Sequence, residues 1–215
     1  MNEEDTIMTN NIYPVNLKID YSEHSDRLKT FFRIILVIPI VIILGLLSNS
    51  DAYDHESTEK IRFFTAAGIV FIPTLLMILF RQKYPRWWFD WNLALTKFST
   101  RVLSYFLLLR DEYPSADEEQ AIHIDIPYPD VKKELVNWMP LVKWFLVIPH
   151  FIILFFLYVA VFFCTILAWI IIVFTANYPK GLFLFVVGVM RWSLRVDAYA
   201  FLLTTDEYPP FRLEE

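Results

Sequence analysis

WFLVIPHFIILFFLYVAVFFCTILAWIIIVFTA, residues Trp144–Ala176, runs for 33 residues without a formal charge at neutral pH, and its reading decides the fold. As a single helix it would be about 50 Å long, against a hydrocarbon core of roughly 30 Å. A membrane-embedded chain is therefore expected to fold this run back on itself. Two further apolar runs stand upstream. Phe31–Leu47 carries one charge, Arg33, near its start, where a long side chain can reach back to the headgroups. Phe63–Phe80 carries none and is followed at once by Arg81, Lys83 and Arg86, an interfacial stop. The first 30 residues are acidic and polar with no basic region leading into an early apolar stretch, so a cleaved signal peptide is not expected.

Composition agrees with this reading. Of 215 residues 56% are hydrophobic and 18% aromatic, and the mean hydropathy is +0.43, too apolar for an ordinary soluble domain. A net charge of -5 and a pI near 5.4 supply no basic footprint for nucleic acid. Only 4 glycines and 20% charged residues rule out a flexible low-complexity chain. The single cysteine, Cys164, lies inside the apolar run and suits neither an intramolecular disulfide nor a thiolate metal cluster.

The chain also reads as doubled. Tyr-Pro occurs at Tyr13, Tyr84 and Tyr113, then again at Tyr128, Tyr178 and Tyr208. Leu36-Val37-Ile38-Pro39 answers Leu146-Val147-Ile148-Pro149, and Asp111-Glu112-Tyr113-Pro114 answers Asp206-Glu207-Tyr208-Pro209. Lys97, Arg101 and Tyr105 answer Arg191, Arg195 and Tyr199. These matches divide the chain into repeats over 11–119 and 120–215. Pro39 to Pro85 is 46 residues and Pro149 to Pro179 is 30, so the first repeat holds 16 more, taken up by the polar stretch 48–62. Without that stretch the second repeat becomes a tight hairpin turning near Leu157–Val161. After each hairpin, Arg86 or Lys180 opens a helix-length segment, 87–109 or 182–204, with Asp90, Lys97, Arg101 and Ser104 on one stripe of the first and Arg191, Arg195 and Asp197 in the second.

The expected fold is thus an all-α integral membrane protein of two tandem repeats, each a transmembrane helical hairpin followed by a basic amphipathic helix. That helix either lies on the membrane or crosses it. Arg27, Lys29, Arg81, Lys83 and Arg86 flank the first hairpin and Lys132, Lys133, Lys143 and Lys180 the second, so both should enter and leave on the cytoplasmic side, with a cytoplasmic N-terminus.

The stretch from Pro140 to His150, the Asn177–Phe183 turn, the Val189–Val196 segment and the Tyr208-Pro209-Pro210-Phe211 ending closely resemble a bacterial membrane-protein family catalogued as domain of unknown function 4389. The first repeat matches more loosely: Trp87-Trp88 stands where the family pattern has Gly-Leu, and the polar loop is inserted. The resemblance implies a bacterial, membrane-embedded setting and no assigned activity; the expected location is the bacterial inner membrane, in a multi-pass arrangement.

Candidate functional residues are few. Lys97 with Arg101, and Arg191 with Arg195, are each one helical turn apart, a spacing that lets two cations engage one lipid phosphate or an acidic partner surface; the competing reading is cationic decoration of a surface helix. His150, directly after Pro149, reads as a proton-sensitive gate or as an interfacial histidine bonded to backbone freed by the proline. With Asp197 it could line a polar path. Asp54-His55-Glu56 is a weak metal set, and His123 and Asp125 alternate with Ile122, Ile124 and Ile126 as an extended segment. The Tyr-Pro pairs read as helix boundaries whose tyrosines anchor at the headgroups, with Trp87, Trp88, Trp91, Trp138 and Trp144 in the same belt. No phosphate loop, nucleophile elbow, paired-histidine metal motif or dinucleotide fingerprint occurs, so neither catalytic residues nor a metal or cofactor is expected. The expectation is a non-enzymatic inner-membrane scaffold or accessory subunit that binds lipid headgroups, anionic ones included, or a membrane protein partner, itself among them. The alternative is a small transporter or channel with a polar path between the repeats; a lipid-acting enzyme ranks last.

Overall fold

In the computed structural model, residues 13–22, 24–48, 62–116, 118 and 120–214 are described. Along the chain they form β1 (Asn16–Ile19), α1 (Arg27–Ser48), α2 (Arg62–Arg81), α3 (Arg86–Phe106), β2 (Ile122–Asp125), α4 (Val131–Glu134), α5 (Met139–Leu146), α6 (Ile148–Thr175) and α7 (Lys180–Ala200). The polar stretch 49–61, with Asp54-His55-Glu56, lies outside the described residues.

The apolar run does not turn back, contrary to the tight hairpin expected near Leu157–Val161. It forms α6, one continuous helix of 28 residues. Length argued for a turn, but turn chemistry argues against one: from Phe151 to Thr175 there is no Gly, Pro, Asn or Asp. A bend among these residues would leave backbone groups unpaired in apolar surroundings. The breaks come where the chain permits them. Val147 separates α5 from α6 just before Pro149, and Ala176 ends α6 in the left-handed region at φ 59°. A helix of this length is about 42 Å long, so Lys143 and Lys180 stand at opposite ends of it. The shared cytoplasmic side drawn for them is lost with the hairpin.

The all-α expectation also needs correction. The alternation at Ile122–Ile126 does yield β2, and its partner comes from far upstream. β1 pairs antiparallel with it, Asn16 opposite Asp125, Leu17 opposite Ile124, Lys18 opposite His123 and Ile19 opposite Ile122. Leu17, Ile19, Ile122 and Ile124 point inward, while Lys18, His123 and Asp125 face out. This ladder packs on the helices, β1 against α7 and β2 against α3.

The segment after the apolar run, expected as a membrane-surface or crossing helix, is the centre of the core. Phe183, Val186, Val187, Val189, Trp192 and Leu194 of α7 are all buried between β1, α5 and α6. Burying each such side chain contributes about 1.5–3 kcal/mol, which makes α7 the principal source of packing energy. α1 packs on α3 and α6, and the end of α2 rests on α5, with Phe71 5.0 Å from Trp144. Tyr-Pro pairs do mark the starts of α3 and α7. Their tyrosines, however, divide: Tyr13, Tyr84 and Tyr178 are buried in the core, and only Tyr113, Tyr128 and Tyr208 are exposed. An added Cβ on Gly181 would meet nothing within 4 Å, so the start of α7 does not require glycine there. Gln82, Ala176, Leu108 and Leu203 hold positive φ at the ends of α2, α6, α3 and α7; the last two are locked by burial in the core.

Candidate functional site

Two buried cations, Arg33 and Lys143, are each paired with a carboxylate. On α1 the buried residues are Thr30, Arg33, Val37 and Ile40, spaced three and four apart, so Arg33 faces inward rather than reaching for the headgroups. It is 2% exposed, pairs with Asp111, donates to the carbonyls of Tyr105 (3.0 Å) and Arg110 (2.9 Å), and stacks 4.5 Å from the Tyr105 ring. Lys143 on α5 is fully buried, pairs with Asp206 at 2.7 Å, donates to the Thr205 carbonyl at 2.8 Å, and lies 4.9 Å from the Tyr199 ring. Asp111 accepts from the Asp26 N–H and Asp206 from the Val136 N–H, both at 2.7 Å. Burial pulls the Lys143 ammonium below its ordinary range, with Asp206 opposing. Reading along the chain missed these clusters. Their signal was present: Arg33 and Lys143 each stand three residues before Leu-Val-Ile-Pro, and each carboxylate opens an Asp-Glu-Tyr-Pro.

The arginines singled out for lipid phosphate serve the fold. Arg195, 2% exposed, donates to the carbonyls of Arg212 (3.3 Å) and Glu214 (2.9 Å). Arg191 donates to Leu17 and Leu213, both at 3.0 Å, tying β1 and the C-terminal tail to α7. Arg101 is buried and bonds the Ser115 carbonyl at 2.9 Å. In each case the guanidinium answers backbone carbonyls, of β1, of the segment after α3 or of the C-terminal tail, which is why the basic stripe turns inward. Lys97 stands beside Arg101 at a small cleft with Asn16, Lys18, His123 and Asp125.

His150 and Asp197, joined in the polar-path reading, are not brought together. His150 is fully buried, stacked on Phe211 at 4.0 Å and 8°, and its Nδ1 accepts from the Trp192 indole at 3.0 Å. It pins the tail to α6 and bonds an indole, not freed backbone. Asp197 lies on the other side of α7.

There it lines a cavity of about 890 Å³ bounded by α1, α3, α6 and α7. The wall is mainly apolar, with Leu103, Val161, Ile166, Met190 and Phe201, and its polar members are Asn92, Thr96, Ser99, Thr100, Tyr158, Thr165, Ser193 and Asp197 besides the paired Arg33 and the buried Thr30. Tyr158 and Ser193 hydroxyls are 2.7 Å apart. Asp197 is exposed toward this space, and the largely apolar wall around it pushes its carboxyl above the ordinary carboxylate range. Among the described residues no group of three His, Cys, Asp or Glu is placed to hold a metal ion.

The outside of the molecule is as informative as the cavity. α6 buries only a seam of His150, Leu154, Val161, Ala168 and Ile172, and exposes Phe155, Phe156, Phe162, Phe163, Leu167 and Phe174. Only 17% of its most apolar window is buried, unlike a core helix of a soluble protein. Among the described residues it is the one helix long and apolar enough to cross a membrane. α1 adds Phe31, Phe32, Ile35, Val41 and Ile42 to the exposed apolar surface. Leu103, Phe106, Phe162 and Ile166 belong both to that surface and to the cavity wall, so the cavity mouth is continuous with it.

Residues 138–212 match the family model described as Domain of unknown function (DUF4389). The match takes in α5, α6, α7 and the tail that closes on them. No curated protein and no solved structure matches the chain.

Proposed function

We propose that this protein is a non-enzymatic membrane component, a scaffold or accessory subunit that holds membrane lipid in the cavity between α3, α6 and α7. The observation that carries this reading is the mouth of the cavity: it opens onto the exposed apolar face of α6, where lipid chains would enter without crossing water. α6 exceeds the roughly 20 residues a bilayer core needs and would cross with tilt. A bacterial cytoplasmic membrane is the setting the family resemblance implies.

The scaffold is read as two copies of one unit that exchange strands. Arg33, Asp111 and Tyr105 correspond to Lys143, Asp206 and Tyr199. Tyr21 donates to the Tyr178 carbonyl and Tyr128 to that of Tyr84; Lys180 lies over Tyr21 and Arg86 over Tyr128. Such an interlock makes a rigid platform.

The test is lipid retention. Purified in mild detergent and extracted for mass spectrometry, the wild-type chain should carry tightly held lipid, and Ser99→Trp, which fills the cavity from α3, should lose it while remaining in the membrane fraction after an alkaline wash. Release of the wild-type chain by that wash, or equal lipid in both forms, would overturn the proposal.

A further inference from the structure

The hydrogen-bond inventory of the cavity points to the headgroup. Thr96, Ser99, Thr100, Thr165 and Ser193 each donate their hydroxyl proton to a carbonyl four residues back on their own helix. With its own proton placed on Val189, Ser193 accepts the one from Tyr158, and the Tyr158 oxygen is left as an acceptor. Asn92 gives its amide to Tyr84, and its oxygen, on a residue 1% exposed, has no partner among the described residues. The Trp169 indole is taken by the Thr30 carbonyl. Among the described residues Asp197 is the sole carboxylate of the lining, one helical turn beyond Ser193 on the same face of α7. Among the described residues Arg33 is the sole cation of the lining; it is buried and matched by Asp111, leaving its Nε–H and one Nη2–H.

Apart from Arg33 and Thr30, the polar wall displays acceptors and one carboxylate, which suits a headgroup that ends in a donor. We infer that the cavity selects a phospholipid bearing a primary ammonium headgroup, which Asp197 pairs with while Tyr158 and Ser193 accept its remaining N–H groups. A trimethylated ammonium brings charge without donors, and an anionic headgroup meets a carboxylate with no free cation nearby. Bound ammonium would also hold Asp197 ionised against the desolvation that otherwise raises its carboxyl. The inference rests on the lipid-holding role proposed above.

The experiment uses the full chain, delipidated in detergent, with synthetic phosphatidylethanolamine, phosphatidylcholine and phosphatidylglycerol of identical acyl chains added back and bound lipid counted by native mass spectrometry. Wild type should retain the ethanolamine lipid about tenfold over the other two, and the isosteric Asp197→Asn should abolish that preference, with the largest loss for the ethanolamine lipid. Tyr158→Phe should reduce the preference to about threefold. Equal binding of all three lipids to wild type, or an ethanolamine preference that survives both substitutions, overturns the headgroup assignment alone. Binding of no lipid at all overturns the cavity's lipid role and the headgroup assignment with it.

Discussion

Replacing Asp206 with alanine strands a buried ammonium, and the size of the effect can be worked from its surroundings. Lys143 is fully buried; apart from Asp206 it keeps the Thr205 carbonyl at 2.8 Å and the Tyr199 ring at 4.9 Å. Removing one partner of a buried ion pair costs about 3–5 kcal/mol, because the remaining charge is left uncompensated. The Asp206 side chain is 15% exposed, so some screening applies and about 3 kcal/mol is expected for Asp206→Ala. Lys143→Met removes the buried charge and keeps the volume. It leaves a carboxylate that reaches solvent and still accepts from the Val136 N–H at 2.7 Å, for a cost of about 1 kcal/mol. The double variant should be no less stable than Asp206→Ala. Equilibrium unfolding in mixed micelles measures all three.

The pH profile supplies a second readout. Burial lowers the Lys143 ammonium, so between that lowered value and 10.5 the folded chain binds fewer protons than the unfolded one. Stability contributed by this group therefore rises with pH through that window and levels above it. Without Asp206 to oppose the burial, the window extends to lower pH; in Lys143→Met it vanishes. Lys143→Met as damaging as Asp206→Ala, or an Asp206→Ala profile identical to wild type, would refute the reasoning.

Three other substitutions test separate parts of the structure. Leu157→Pro falls mid-way along α6, where it breaks a helical hydrogen bond and should cost about 3 kcal/mol or more; mild behaviour would mean that the chain does turn there. Gly188→Ala puts a Cβ 2.9 Å from that of Leu213, so the tail should lift, read as faster hydrogen exchange over 208–214 at a cost of about 1–3 kcal/mol. Trp192→Phe removes the donor to His150 and should destabilise by about 1–3 kcal/mol, whereas Phe211→Leu, which keeps that bond, should cost less; the reverse order would assign His150 to stacking alone.

Several boundaries could be read along the chain because their causes are local. A proline with no N–H and a constrained residue before it start α3 after Pro85 and α7 after Pro179. Two-residue alternation located β2. The error at Leu157–Val161 came from setting helix length against bilayer thickness without asking which residues could turn. The Arg191 and Arg195 stripe was visible, but its direction was not: a cation's helical position is the same whether its partner is a phosphate in water or a carbonyl in the protein. Only β1 and the tail, distant in sequence, supply those carbonyls.

Order along the chain determined the apolar character, the helix starts and the paired motifs, since these depend on side chains within a few residues of one another. The tertiary structure alone decided that α7 is buried, that Arg33 and Lys143 are enclosed with Asp111 and Asp206, and that Asp197 faces a cavity while His150 does not. Each of these depends on which surfaces meet across separations of tens of residues or more. Burial energy over the whole set of helices selects that meeting, and no local periodicity encodes it.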